Sequence, residues 1–176
     1  QDPWESFNRG TFAFNKVFDK YLLSPLAKGY RIILPAEARK GVRNFFSNLK
    51  EPWTCINAAL QGDFKNSGTS IMRFGLNTTV GLLGIFDIAT SLGFKKQKED
   101  FGQTLAVYGV EPGPYLVLPL LGPSTVRDAL GKVTGFVADP VTIALNKDGK
   151  ENWLWIGTAV KGIDFREQNL EKIDNL

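Results

Sequence analysis

The chain has 176 residues, a length that suits one domain with a sizeable core. Hydrophobic residues make up 43% of it and charged residues 22%, which excludes an intrinsically disordered chain and a polytopic membrane protein. The formal charge of +3, without any run of four Lys or Arg residues, predicts no nucleic-acid partner.

The sequence contains no histidine and a single cysteine, Cys55. Histidine is the usual general base near neutral pH, so its absence excludes serine–histidine and cysteine–histidine catalysis. Cys55 lies among apolar neighbours in PWTCINAAL, and we interpret it as a structural thiol. We therefore expect neither an enzyme nor a bound metal or cofactor. Because the chain starts at Gln1 rather than Met, we also expect an export signal to have been removed.

Helix signals dominate the first half of the chain. The sequence DPWE, at residues 2–5, is typical of a helix start and predicts Asp2 as the N-cap. Aromatic residues recur behind it at helical spacing. We predict a break between two short helices at Pro35, and a new helix that begins at Pro52 and ends at Gly62. Asp63 is then predicted to cap the helix that follows.

The region after residue 100 begins with another helix and continues in extended form. DFGQ, at residues 100–103, predicts a capped helix that Gly109 closes. The prolines and glycines of VEPGPYLVLPLLGPST require residues 110–125 to be extended or turning. Few other segments alternate with the period of two that strands show, so the sequence predicts an all-α fold.

Two further helices are predicted near the C-terminus. One follows Ser124 and ends before Pro140, and a polar, charged helix occupies residues 151–175 after a turn at KDGK. No internal repeat or low-complexity linker divides the chain. We therefore predict a single domain over residues 1–176.

The stretch GLNTTVGLLGIFDIATSLG, residues 75–93, is almost uncharged. Thirteen uncharged residues separate Arg73 from Asp87, and as a helix they span about 20 Å, too short for a hydrocarbon core of about 30 Å. The polar NTT at residues 77–79 predicts a turn between two glycine-packed helical arms. Two interpretations remain open: this hairpin is buried in a globular core, or it lies within one membrane leaflet. Its candidate membrane-embedded residues are Phe74, Leu76, Val80, Leu82, Leu83, Ile85 and Phe86.

Four segments carry a family resemblance. They are DPWESFNRGTFAFN, VRNFFSNLKEPWTCINAALQGD, RFGLNTTVGLLGIFDIA and FGQTLAVYGVEPGPYLVLPLLGPSTVRD. Each motif alone is weak, but in this order and at this spacing they are highly specific. The chain resembles the MlaA family, also called VacJ lipoproteins, over about residues 2–140. Residues 141–176 are a divergent helical tail.

The resemblance implies an outer-membrane lipoprotein of a Gram-negative bacterium that faces the periplasm. It implies a ring-like helical fold embedded in the inner leaflet around an amphipathic channel. Family members remove mislocalised phospholipid from the outer leaflet and pass it to the periplasmic carrier MlaC, and trimeric porins of the OmpC/OmpF type bind them. The family's lipid-bearing N-terminal cysteine is missing, so we expect that anchor in the full-length precursor. The alternative function is a membrane-bound adaptor that binds porins without moving lipid.

A phospholipid channel needs an apolar lining for the tails and polar groups for the headgroup. The candidates for that lining are Asn8, Asn15, Arg43, Asn44, Phe45, Phe46 and Arg127. The alternatives are hydrogen bonding between packed helices for the two asparagines of the first helix, ordinary core for the two phenylalanines, and a tie between helices for the last arginine. Candidates for a fixed loop beside the channel, acting as a support or a gate, are Pro112, Gly113, Pro114 and Pro119.

Overall fold

The computed structural model describes residues 2–173, and most of them are helical. The helices are α1 Glu5–Phe18, α2 Ser24–Ile33, α3 Ala36–Leu60, α4 Phe64–Thr79, α5 Ile88–Ser91, α6 Phe101–Val107, α7 Val126–Ala138, α8 Pro140–Lys147, α9 Glu151–Gln168 and α10 Leu170–Ile173. A π-helical turn, Asp19–Leu23, carries α1 directly into α2. The predicted helical fold is confirmed.

One small sheet interrupts the helices. Strand β1, Tyr115–Leu118, pairs antiparallel with β2, Gly122–Thr125, and Leu118 lies opposite Gly122. The turn between them places Leu120 at a positive φ of 63°. This hairpin confirms the expectation that the region is extended or turning. Its prolines disfavour a helix, so its backbone groups form hydrogen bonds in a hairpin instead.

Local capping signals predicted several helix boundaries correctly. The carboxylate of Asp63 accepts a hydrogen bond from the backbone N–H of Asn66 at 3.0 Å, at the start of α4. The carboxylate of Asp100 accepts from the N–H of Gln103 at 2.8 Å, at the start of α6. Each bond satisfies one of the donors that a helix N-terminus leaves free. Pro35 separates α2 from α3, as predicted.

Two predicted helix starts are wrong. Trp4, rather than Asp2, is the residue before α1, and Asp2 accepts instead from the N–H of Trp4. Pro52 lies inside α3 and does not begin a new helix. Proline removes one backbone donor from a helix, but α3 contacts α4, α6, α8 and α9, and this packing holds the helix continuous.

The described part of the C-terminal third contains two more helices than predicted, α8 and α10. Pro140 occupies the first turn of α8, and Asp139 caps it by accepting from the N–H of Val141 at 2.8 Å. The same proline therefore ends α7 and begins α8, a position that its fixed φ favours. The long polar helix is α9, which a turn at Asn169 separates from α10. Residues 174 and 175 of that prediction lie outside the described residues.

The predicted helical hairpin has only one helical arm. Residues 77–79 form the last turn of α4, and residues 80–86, which we call the apex segment, are turns. Leu82 and Leu83 adopt left-handed backbone conformations, with φ of 52° and 61°. Such conformations end a helix and are unusual for leucine. The NTT sequence thus lies one turn before the reversal of the chain, not at it.

The helices and the sheet close a ring of contacts. α1 contacts β1, β2 contacts α7, α7 contacts α8 and α8 contacts α9. α9 then contacts α2, which returns to α1 through the π-helical turn. α3 contacts this ring through α8 and α9, and it also contacts α4 and α6. α3 is therefore the helix that connects the ring to the apex segment.

The interior of the protein is polar and much of its exterior is apolar. The largest fully buried side chains among residues 2–173 are Glu51, Asn57 and Ser70. Large apolar side chains are exposed instead; they include Phe7, Phe12, Phe14, Tyr21, Ile32, Ile33, Leu82, Leu83, Phe86, Val133, Val137, Trp153 and Trp155. Soluble globular proteins bury such side chains and seldom expose so many together. No helix within residues 2–173 has both the length and the apolar character needed to cross a membrane.

Two glycines of the predicted helical hairpin provide a matched test of how closely the apex segment packs. A Cβ at Gly81 would collide with the backbone carbonyls of Asn77 and Phe86, whereas a Cβ at Gly75 meets nothing within 4 Å. We expect Gly81→Ala to lower the free energy of unfolding by about 1–3 kcal/mol, because backbone must move. Gly75→Ala, within the C-terminal part of α4, should leave the free energy of unfolding unchanged or raise it by up to about 1 kcal/mol. Urea unfolding in detergent micelles measures both, and equal effects would contradict the close packing of the apex segment.

Candidate functional site

An apolar cleft of about 790 Å³ lies between the first half of α3, the apex segment and α9. Its lining residues are Glu37, Ala38, Lys40, Gly41, Val42, Asn44, Phe45, Phe46, Ile85, Phe86, Asp87 and Val160. The rings of Phe45 and Phe46 pack edge to face, with their centroids 5.4 Å apart. The cleft therefore has a mainly aromatic and aliphatic lining, to which Glu37, Lys40 and Asp87 add charged groups.

A polar pocket of about 400 Å³ follows on the second half of α3. Its lining residues are Ser47, Lys50, Glu51, Thr54, Lys96, Gln97, Lys98, Glu99, Asp100 and Gln103. The apolar cleft ends on α3 at Phe46 and the polar pocket begins at Ser47. The two cavities thus follow one another along a single helix, with their polarity changing at this point.

The apex segment is attached to α3 by side-chain amides. The Asn44 amide donates to the carbonyl oxygen of Ile85 at 3.0 Å, and the Asn48 amide donates to the carbonyl oxygen of Leu83 at 3.4 Å. Gly84, at φ 94°, lies directly against the side chain of Asn48, a contact that a Cβ would prevent. These contacts hold a segment of seven non-helical residues in place without burying its apolar side chains.

A buried ion pair lies at the base of this segment. Arg73 and Glu51 are each 2% exposed, and Nε of Arg73 donates to Oε1 of Glu51 at 2.7 Å. The other guanidinium nitrogens donate to Asp87 at 3.1 Å, to the Thr90 hydroxyl at 2.9 Å and to the Phe94 carbonyl at 2.7 Å. We call these five residues the Arg73 network. It joins α3 and α4 to the chain that leaves the apex segment.

The charge states in the Arg73 network follow from burial and pairing. Burial raises the pKa of Asp87, but hydrogen bonds from Thr90, Arg73 and Asn77 outweigh it and bring the pKa down to about 2. Burial raises the pKa of Glu51, and the hydrogen bond and charge of Arg73 oppose that effect. Two carboxylates around one guanidinium leave the arginine fully paired.

A second polar cluster, which the sequence did not predict, joins α9 to α2 and α3. Arg31 and Arg43 bond to Glu167 and Asp164 at 2.8 and 3.2 Å, and the charged residues of α9 at positions 164, 166 and 167 are all buried. In the sequence this helix is recognisable only as polar and charged. Asp164 and Glu167 are spaced to share one helix face, but exposed helices have the same spacing, so it does not indicate burial.

The predicted channel residues separate into two groups. Asn44, Phe45 and Phe46 line the apolar cleft. Arg43 lies beside them on α3 but pairs with the acidic residues of α9. The structure does not bring Asn8, Asn15 or Arg127 to the cleft.

Asn8 and Asn15 instead hold the β-hairpin against α1. The side chain of Asn8 accepts from the N–H of Val117 at 2.8 Å and donates to the carbonyl of Tyr115 at 3.3 Å. Asn15 accepts from the N–H of Leu120 at 2.8 Å and donates to the carbonyl of Leu118 at 3.0 Å. These two amides, two helical turns apart on α1, thus satisfy four backbone groups of the hairpin.

Arg127 and the predicted loop form the junction before α7. Arg127 donates to the Val110 carbonyl at 3.2 Å and contacts Asp128, so it ties its helix to the neighbouring loop. The carbonyls of Pro112 and Pro114 accept from the first two N–H groups of α7, and Gly113 has a positive φ of 72°. Pro119 lies at the turn of the hairpin that Asn15 holds. The loop is fixed at both ends.

Comparison with known proteins identifies the family. The family model described as MlaA lipoprotein matches residues 1–176. The chain belongs to the MlaA lipoprotein family. The match includes the C-terminal tail as well as the segments that carry the sequence motifs.

Named relatives and a solved structure agree with this family. The chain is 43% identical to the Shigella flexneri intermembrane phospholipid transport system lipoprotein MlaA, over 97% of this chain and 67% of that protein, and 34% identical to its Haemophilus influenzae counterpart, over 99% and 70%. An uncharacterised Rickettsia typhi protein is 43% identical over 84% of this chain. This chain spans 59% of that protein's length, so part of such a protein lies outside the sequence described. A structure described as "Structural basis for maintenance of bacterial outer membrane lipid asymmetry" matches with a TM-score of 0.80 at 38% identity, over 98% of this chain and 86% of that one.

The Arg73–Glu51 ion pair can be tested by single and paired substitution. We expect Arg73→Met to lower the free energy of unfolding by about 3–5 kcal/mol, because it leaves the Glu51 carboxylate buried without its partner. Replacing both residues, as Arg73→Met with Glu51→Met, should restore a large part of that loss. Urea unfolding in detergent micelles gives both values. A double variant that is less stable by the sum of the two single changes would show that the residues act independently.

Proposed function

We propose that this chain moves phospholipid at the outer membrane of a Gram-negative bacterium. It takes mislocalised phospholipid from the outer leaflet and passes it to a periplasmic carrier, which maintains lipid asymmetry. The observation that carries the proposal is the distribution of polarity: an apolar exterior surrounds a hydrogen-bonded polar interior, and an apolar cleft leads along α3 to a polar pocket. The printed names of the Shigella and Haemophilus relatives support the same role.

The apex segment fits one leaflet of a membrane. Val80, Leu82, Leu83, Ile85 and Phe86 are all exposed, whereas Phe74 and Leu76 on α4 are half-buried. The Leu83 and Phe86 N–H groups donate to backbone carbonyls at 3.0 Å, so these two donors are already satisfied. A segment that exposes apolar side chains while its donors are paired internally can enter hydrocarbon at low cost.

The energetics of lipid extraction explain the two cavities. Moving two acyl chains of roughly thirty methylenes into water costs about 24 kcal/mol at about 0.8 kcal/mol each. A cleft with the aromatic and aliphatic wall of Val42, Phe45, Phe46 and Val160 offers the tails an alternative to water. Transfer of this kind forms and breaks no covalent bond, so it requires no nucleophile and no metal. We therefore propose a transport protein without enzymatic activity.

The partners follow from the proposed location. The chain lies in the inner leaflet and faces the periplasm, and the lipid anchor belongs to the full-length precursor. MlaC is the proposed soluble acceptor, and a trimeric porin of the OmpC/OmpF type is the proposed membrane scaffold. The shared family and the exposed apolar side chains support these assignments.

Membrane association of the apex segment can be tested with substitutions that suit its backbone. Asparagine is favoured over leucine at positive φ, so Leu82→Asn with Leu83→Asn removes apolar area without adding backbone strain. We expect this variant, and Phe86→Asp, to lose most of their flotation with liposomes while the far-ultraviolet circular dichroism is unchanged. Ala106→Asp places the same charge at an exposed position of α6 and should float like the unsubstituted protein. Unfolding of the apex variants would instead support a hairpin buried in a core.

Lipid transfer can be tested by filling the cleft. Donor vesicles carry a fluorescent phospholipid and the reconstituted chain, and purified MlaC-type carrier in solution accepts the lipid. We expect the protein to accelerate transfer, and Ala38→Trp, which adds an indole to the cleft lining, to remove most of that acceleration. Ala36→Trp on the same helix, outside the lining, is the matched control. Porin binding with no acceleration by the unsubstituted protein would favour the adaptor function.

A further inference from the structure

Three lysines line the polar pocket, and a fourth lies near one of them. Lys50 on α3 and Lys96 and Lys98, in the segment before α6, are lining residues. Lys161 on α9 is not a lining residue, but it lies close enough to Lys50 for the two charges to repel each other. None of the four has a carboxylate oxygen within 4 Å of its ammonium nitrogen in the part of the chain that the structure describes. The pocket thus gathers positive charge without an ion-pair partner.

The carboxylates nearest to these lysines are mostly engaged elsewhere. Glu51 bonds to Arg73 at 2.7 Å, and Asp100 accepts from the N–H of Gln103 as the cap of α6. Asp139 near Lys161 accepts from the N–H of Val141 as the cap of α8. Glu99 is the acidic residue of the pocket that remains. A hydrogen bond from a neutral N–H leaves a carboxylate charged, so Asp100 and Asp139 still count as negative. With Glu51 paired to Arg73, four lysines face three carboxylates, and positive charge exceeds negative by one.

Lys161 shows the consequence of this imbalance. Burial and, after it, the charge of Lys50 lower the pKa of Lys161 to about 8, and Asp139 offsets only part of the effect. Its ammonium lies 5.9 Å from the centre of the Phe46 ring, which is also part of the apolar cleft. An anion bound between Lys50 and Lys161 would relieve their repulsion and add charge-assisted hydrogen bonds.

A further polar group, the hydroxyl of Ser47, belongs to the polar pocket. The Oγ atom of Ser47 is buried, lines the pocket and makes no hydrogen bond within the described residues. A hydroxyl in that state is a free donor for an oxygen anion. Phe46 and Lys50 are four residues apart, or about 6 Å along α3. That separation matches the short distance between the phosphate of a phospholipid and the start of its acyl chains.

We propose that Lys50, Lys161 and Ser47 bind the phosphate of a phospholipid headgroup, while the acyl chains occupy the apolar cleft. The proposal rests on the proposed function, since it assigns the two halves of its substrate to the two cavities. The shared chemistry is a phosphate oxyanion, which a lipid headgroup or free inorganic phosphate can supply. Lys96 and Lys98 widen the positive field at the pocket mouth.

The test compares a lipid that carries a phosphate headgroup with one that carries none. The full chain, purified in detergent micelles, is titrated with palmitoyl-oleoyl phosphatidylglycerol or with the diacylglycerol of the same acyl chains, and binding is read by native mass spectrometry. We expect Lys50→Gln with Lys161→Gln to weaken phosphatidylglycerol binding by about tenfold or more. Binding of the diacylglycerol should not change. Lys65→Gln with Lys147→Gln removes the same charge from exposed sites and should behave like the unsubstituted protein.

Further variants separate the possible failures. Lys50→Arg with Lys161→Arg keeps both charges and should retain phosphatidylglycerol binding, which shows that an effect of the glutamine variant is not unfolding. Unchanged phosphatidylglycerol binding in the glutamine variant, or an equal loss for both lipids, would overturn the headgroup site while leaving the proposed function intact. Inorganic phosphate that binds as tightly as the phospholipid would identify free phosphate as the ligand instead. If the unsubstituted chain binds neither lipid, the proposed function itself fails.

Discussion

The buried ion pair of Arg73 and Glu51 holds together the parts of the protein on which everything else depends. Its hydrogen bonds join α3, α4, the start of α5 and the segment that follows it. With both partners buried, the guanidinium and the carboxylate each need the other, since an unpaired buried charge costs several kcal/mol. This mutual requirement fixes the base of the apex segment. The apolar side chains of that segment are then free to face outward.

A polar interior is unusual for a soluble protein and physically reasonable for one that lies in lipid. In hydrocarbon, apolar side chains gain nothing by being buried, and polar groups have no water to bond to. The favourable arrangement then places asparagine, serine and ion pairs inside and leucine and phenylalanine outside, as in this structure. The same arrangement supplies polar surface next to the apolar cleft. Fold and proposed function therefore depend on one distribution of polarity.

Local signals in the sequence predicted where helices begin and end better than they predicted which neighbours each helix face contacts. Aspartate caps at Asp63 and Asp100 and the break at Pro35 act through the backbone of a few residues, so the sequence alone was sufficient. Pro52 misled the prediction because long-range packing keeps α3 continuous. The left-handed Leu82 and Leu83 could not be foreseen, since leucine rarely adopts that conformation and the amides that hold the turn come from α3.

The site residues show the same limit. Asn44, Phe45 and Phe46 were predicted as channel lining because polar and aromatic side chains are adjacent on one helix turn. They line the apolar cleft, and their role in a channel stays a prediction. Asn8 and Asn15 have equally mixed chemistry, but they hold a β-hairpin that was not predicted. The lysines of the polar pocket come from three distant segments, and only the fold brings them together. Residue patterns within one helix could be interpreted from the sequence, whereas contacts between distant segments could not.

The central claim is that the apex segment lies in lipid while the exposed surface of α6 does not. Spin labels on cysteines at Leu83 and at Ala106, in a Cys55→Ser background with vesicle-bound protein, test it most directly. Collision rates with oxygen, which concentrates in hydrocarbon, and with a water-soluble nickel chelate report the surroundings of each label. We expect the label at position 83 to collide mainly with oxygen and the label at position 106 to collide mainly with the chelate. Equal access of the chelate to both labels would contradict it.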